Sequence, residues 1–252
     1  MNRNHLRSLL FTIGHIAAQA ALAQMPPGLP GTFSLGEGIT VVDDTDPFTP
    51  NSFIGSFRME TRLYHSNVEE RTSPTTLRYW SSADQVLTEA ASPGNPAMRS
   101  LVDLKGRWQY MLMPEGQGAR MAMKMRKKKV VLADPGQGEE PRVEVTSETR
   151  TIDGHPCVKV IARSADGVWT GWVARDLRAP FADLQRVVGT GDPRLTRRMT
   201  EVQGFPLEFE WVDANGVDRV TCAVHDLVIG TVDAGVFSLD GYQVMELPGM
   251  GR

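Results

Sequence analysis

Apolar and polar residues alternate with a period of two along most of this chain. In "FRMETRL", Phe57, Met59, Thr61 and Leu63 alternate with Arg58, Glu60 and Arg62. Successive side chains of a strand point to opposite faces, so this pattern predicts a strand with one wet face. "LVDLKGRWQYMLM" reads as two strands around a tight turn at Lys105-Gly106. Asp153-Gly154, Asp166-Gly167 and Asn215-Gly216 punctuate three further alternating runs. Such pairs tolerate the positive φ of a two-residue hairpin turn, so they predict a meander and a large antiparallel sheet. Helical periodicity is rare. "PFADLQRVVG" predicts one short helix, with Pro180 early and Gly189 at its end, and Pro193–Val202 is a weaker second.

The bulky residues fall on these strands. Met59, Tyr79, Trp80, Trp108, Tyr110, Trp169, Trp172, Phe209 and Trp211 are read as an apolar wall, with charged residues on the other face. A sheet with so few helices can close as a barrel, fold over as a sandwich, or wrap a helix and leave a cavity. The last arrangement gives a hydrophobic ligand pocket.

"ARMAMKMRKKKVV" sharpens the reading. Met121, Met123 and Met125 recur at every second residue, and Arg126, Lys127, Lys128 and Lys129 follow at once. Methionine is pliable and polarisable, so the three side chains either fill a core or add to a wall that accommodates an acyl chain. A third reading is Cu(I), because thioethers are soft ligands. Three sulfurs along one strand spread over about 13 Å at roughly 3.3 Å per residue, too far to hold one ion without a bend. The basic run reads as a solvated turn or an edge-strand guard.

Composition narrows the class. "LLFTIGHIAAQAALA" follows Arg3 and Arg7 and ends in Ala21-Leu22-Ala23, the pattern of a cleavable export signal over residues 1–23. Removing 23 residues from 252 leaves 229, enough for one all-β or α+β domain. The mature chain would hold 25 Lys and Arg against 30 Asp and Glu, which argues against a nucleic-acid binder. Residues 24–50 read as a Pro- and Gly-rich arm with one short strand at "GITVV", and 51–252 as a single β domain. The location expected is the periplasm or outside the cell, with no spanning helix.

Cys157 and Cys222 are a candidate disulfide in an oxidising compartment, or two buried thiols. No G-x-S-x-G elbow, H-E-x-x-H or P-loop is present, and no catalytic residue, cofactor or metal site is assigned. His155, Cys157 and Cys222 form only a weak soft-metal alternative. Acidic pairs such as Asp43-Asp44 read as solvated loop residues.

The blocks "SFIGSFRMETR", "RYW", "LVDLKGRWQYMLMPEGQGARM", "TIDGHPCVKV" and the ending "VFSLDGYQVMELPGM" resemble those of a bacterial envelope family of unknown function. That family is similar to the LolA/LolB lipoprotein-carrier superfamily. The resemblance covers about residues 50–250. It implies a mainly β (α+β) fold, a strongly curved antiparallel sheet forming an unclosed β-barrel with one or two short helices. It also implies a non-catalytic carrier for a lipid or acylated molecule. The alternatives are an envelope protein-interaction module and a periplasmic copper-binding protein.

Overall fold

The computed structural model describes residues 33–34, 39–113, 120–132, 142–165, 167–178, 183 and 204–246, with backbone only at 33–34, 39–41 and 130–132. The expected export signal lies outside them. So do both expected helices, except for Asp183, which is helical.

Alternation produces strands almost everywhere. The N-terminal half runs β1 (Phe33–Ser34), β2 (Ile39–Asp43), β3 (Gly55–His65), β4 (Val68–Glu69), β5 (Thr75–Ser81), β6 (Gln85–Ala91), β7 (Met98–Asp103), β8 (Trp108–Leu112), β9 (Arg120–Arg126) and β10 (Lys128–Leu132). The C-terminal half runs β11 (Arg142–Ile152), β12 (His155–Ser164), β13 (Gly167–Ala174), β14 (Phe205–Asp213), β15 (Asp218–Ile229) and β16 (Tyr242–Glu246). A 3-10 turn at Ala234–Phe237 precedes β16. The turn at Asp153-Gly154 has φ of 48° and 82°, as its sequence requires.

Most strands join one large sheet in the order β11-β12-β13-β14-β15-β3-β5-β6-β7-β8-β9-β16, with β4 on β3. Two antiparallel meanders meet where β15 pairs with β3, and β16 adds in parallel to β9. The two end strands, β11 and β16, do not pair, so the barrel is unclosed. Phe57 of β3 meets Phe205 of β14 at 5.5 Å between ring centroids, although β15 lies between their strands. Rings so separated meet because the sheet curls inward.

That inner face carries the main core. Phe53, Phe57, Tyr79 and Phe205 interlock, with Phe57 stacked on Tyr79 at 5.0 Å and edge-on to Phe53 at 5.8 Å. Met59, Leu77, Val86, Val102, Leu207 and Val224 complete the cluster. A second core lies on the outer face. There Leu87, Leu101, Leu112 and Ala122 are covered by Phe237, Val236 and Leu239 of the strap that leads to β16.

Cys157 and Cys222 are buried and free, the second of the two readings, and the candidate disulfide is not formed. They sit on β12 and β15, with β13 and β14 between them. Three strand spacings of about 4.8 Å exceed the roughly 7 Å limit for bridged Cα atoms. Burial pushes the Cys222 thiol from 9.0 up to about 12, with Thr61 Oγ1 donating to its sulfur at 3.7 Å. Burial raises the Cys157 thiol as well. Titration of unreduced, denatured protein should therefore find two thiols per chain. The neutral thiol of Cys222 is favoured by the fold, so its contribution is intact below pH 9 and fades as pH rises towards 12. Urea midpoints should fall over that window, and less steeply in Cys222→Ala.

Candidate functional site

The candidate wall divides between the two faces of the sheet. Register places Phe57 opposite Tyr79, and Met59 opposite Leu77, on the inner side. Gln109 opposes Met125, and Met111 opposes Met123, on that same side. Trp169 opposes Trp211, while Phe209 opposes Cys222, again inward. Trp80, Trp108 and Tyr110 point the other way, while Trp172, beside a register shift of β13 against β14, packs half-buried against the main core. Adjacent residues such as Tyr79 and Trp80 cannot share a strand face. This corrects the reading of all the aromatics as one wall.

On the inner side, Met59, Tyr79 and Trp211 are locked in the core, at 7%, 0% and 3% exposure. Met121, Met123, Met125, Trp169 and Phe209 are half-buried instead. The Trp169 ring lies 5.8 Å from that of Phe209. Its indole also folds over Gly171, where an added Cβ would meet the ring at 2.2 Å. Gly171 thus makes room for an aromatic plate on the strand. Gln109, buried beside the methionines, donates to Ser100 Oγ at 3.1 Å and to Met111 Sδ at 3.8 Å.

The outward aromatics serve other ends. Trp80 and Tyr110 pack on the second core. Trp108 lies beneath two cations, Lys124 Nζ at 3.8 Å and Arg126 Cζ at 4.0 Å from its ring centre. At the margin of the main core, Arg150 stands 4.4 Å above Trp172 and pairs with Glu208. Burial raises the Tyr110 phenol, with the carboxylates of Asp103 and Glu246 adding to the effect. Part of this face is thus a second core and part, around Trp108, a wetted surface rather than a ligand wall.

The basic run is not a solvated turn: Lys128 and Lys129 lie on an edge strand, as one of the two readings expects, but ion-paired. After β9 the chain crosses at Lys127 into β10, which forms a second, small sheet in the order β1-β2-β10. Lys127 and Lys128 are 3% and 9% exposed. Lys127 pairs with Asp44, Lys128 with Asp43 at 2.5 Å, and Lys129 with Asp46 at 2.6 Å. The lysine run and the acidic run "DDTD" are therefore one structural unit. Asp44 feels two opposing effects: burial raises its carboxyl, while Lys127 and the Asp46 amide lower it further, for a net depression below 3.8.

Sequence reasoning also missed Asp183, which is fully buried. Its Oδ2 accepts from the Ser52 amide at 2.9 Å, the Ser52 hydroxyl at 3.0 Å and the Phe53 amide at 2.8 Å. This clips the entry to β3 beneath the aromatic core. Among the described residues, no group of three His, Cys, Asp or Glu side chains is arranged to hold a metal. His155 bonds Asp176 at 2.9 Å, and His65 bonds Asp218 at 2.7 Å.

No protein-family model matches the chain, and no curated protein matches it. Solved structures give distant likenesses. PNGF-II aligns over 76% of this chain at 13% identity and a TM-score of 0.32, and the chain spans 31% of that protein's length. A DUF1329 family protein from Desulfovibrio piger aligns over 77% of this chain and 93% of its own, at 7% identity and a TM-score of 0.22. An outer membrane lipoprotein-sorting protein domain from Vibrio parahaemolyticus aligns over 88% and 94%, at 9% identity and 0.23. At these scores none of the likenesses assigns a residue or an activity. No helix among the described residues is long and apolar enough to cross a membrane.

Proposed function

We propose that the protein is an exported, non-catalytic binding or carrier protein for an apolar ligand, a lipid or an acylated molecule. One observation carries the reading. An unclosed, inward-curled sheet presents half-buried Met121, Met123, Met125, Trp169 and Phe209 beyond its filled aromatic core. Apolar side chains that a fold leaves part-covered are where an acyl chain gains contact with least rearrangement. Residues 1–23 supply the export signal of this reading and are absent from the mature protein.

Native mass spectrometry of freshly purified protein, followed by titration with a fluorescent fatty acid, tests the proposal. Co-purifying lipid, or saturable binding that quenches Trp169, is expected. Lipid-free protein that ignores the fatty acid would overturn it. An interaction module is the second reading, because the edge strand β16 leaves Val244 and Met245 at 46% and 45% exposure. Recovery of one stoichiometric envelope protein, without lipid, would favour that instead.

A further inference from the structure

Methionine is concentrated at one end of the inner face. The register sets Met111 of β8 opposite Met123 of β9, and Met123 opposite Met245 of β16. Three thioethers thus stand side by side on three adjacent strands. One rung along, Met113 donates its N–H to the Met121 carbonyl at 2.9 Å, and Met98 begins β7 at the same level. Such rungs are very different from three sulfurs strung along one strand. Strands lie about 4.8 Å apart, so flexible side chains on either side of Met123 can converge above it.

Its surroundings select the ligand class. The inner-face neighbours on these strands are Ser100, Val102, Gln109 and Gln243. They include no carboxylate and no imidazole. Arg99, Lys124, Arg126 and Glu246 alternate onto the outer face. Among the described residues, hard cations find no oxygen anion on this face, and zinc finds no thiolate or imidazole. The donors present are neutral thioether sulfurs, which prefer soft, low-charge ions. The rung also runs from closed to open. Met111 is 6% exposed and fixed beside Gln109, Met123 is half-buried, and Met245 at the sheet edge is 45% exposed. An ion could enter at Met245 and reach Met111 without unfolding the sheet.

We propose that Met111, Met123 and Met245 form an all-thioether site for Cu(I), with Met98, Met113 and Met121 as a weaker rung beside it. The inference shares Met121 and Met123 with the apolar-ligand reading but rests on lone pairs rather than on apolar area.

The test uses the full chain under anaerobic conditions, with Cu(I) supplied as its bicinchoninate complex. Transfer of a single tightly held equivalent is expected. Met111→Leu/Met123→Leu/Met245→Leu keeps volume and apolarity but removes every lone pair, so it should fold and lose the transfer. No transfer to the wild type, or undiminished transfer to the Leu variant, would overturn the site. Should that variant fold poorly, methyl resonances of the wild type decide. Ag(I), a redox-inert stand-in, should move those of Met111, Met123 and Met245 and leave that of core-bound Met59 in place. Movement of Met59 alone, or of none, would also overturn it.

Discussion

Lys127→Met lowers the unfolding free energy by about 3 kcal/mol at neutral pH. That is the low end for breaking a buried ion pair, because Asp44 keeps 14% exposure while Lys127 keeps only 3%. The substitution strands a carboxylate among the groups that burial has desolvated. It also sits where two sheets meet: the Lys127 amide donates to Arg107 O at 3.0 Å, and its carbonyl accepts from Asp44 N at 2.9 Å. Lys127→Met/Asp44→Leu removes both charges and should recover most of the loss. Acid acts through the same pair. The Asp44 carboxyl is depressed in the fold, so its contribution is complete above pH 3.8 and is lost as pH falls through the lower folded value. Urea melts at two pH values give both numbers. A loss below about 1 kcal/mol at neutral pH would mean a solvated surface pair and would sink the argument.

Phe57→Ala has a comparable or larger effect, about 3–5 kcal/mol. Phe57 is 3% exposed and touches Phe53, Tyr79 and Phe205 at once. Its removal forfeits transfer energy and ring–ring contacts worth about 0.5–1.5 kcal/mol each, and it leaves a hole that the sheet cannot close. The urea midpoint should drop, and the near-ultraviolet signal of Tyr79 should weaken. This experiment also bears on function. A cost under about 1.5 kcal/mol would mean that the middle of the curled sheet is not a packed core, so the space for a ligand would have to be redrawn.

Much of the fold is legible in the residues. The period-two runs of β3, β8, β9 and β14, and the turns at Lys105-Gly106, Asp153-Gly154 and Asn215-Gly216, are local chemistry, and the structure realises them. The short strand expected in the arm falls at Ile39–Asp43, within a residue of "GITVV", but the arm holds a second one, β1, that its sequence does not announce. What local pattern cannot specify is pairing at a distance. Nothing around Lys127 announces that its partner is Asp44, 83 residues away. The signal was present only as complementary charge, four cations in one place and "DDTD" in another. The error over the candidate wall was of another kind. Parity along β5 already separates Trp80 from Tyr79, whereas the register shift at Trp172 that returns its ring to the main core is not legible in alternation. The Met111–Met123–Met245 rung needs a cross-strand register and a parallel strand from the far end of the chain, neither of which alternation reveals.

The junction of β3 with β15 governs the order of assembly. His65 and Asp218 are partners across 153 residues, and every other neighbour of β3 in the large sheet lies close to it in sequence. Each meander can form from its own hairpins as soon as its residues exist. The seam between them waits for nearly the whole chain, and closing so long a loop is an entropic cost met before the contacts reward it. Until then β3 and β15 are two bare edges with matching registers, carried on halves that are already folded. Two copies caught at that stage can satisfy each other's edges as readily as their own, so the seam is where this protein is most exposed to swapping halves between chains.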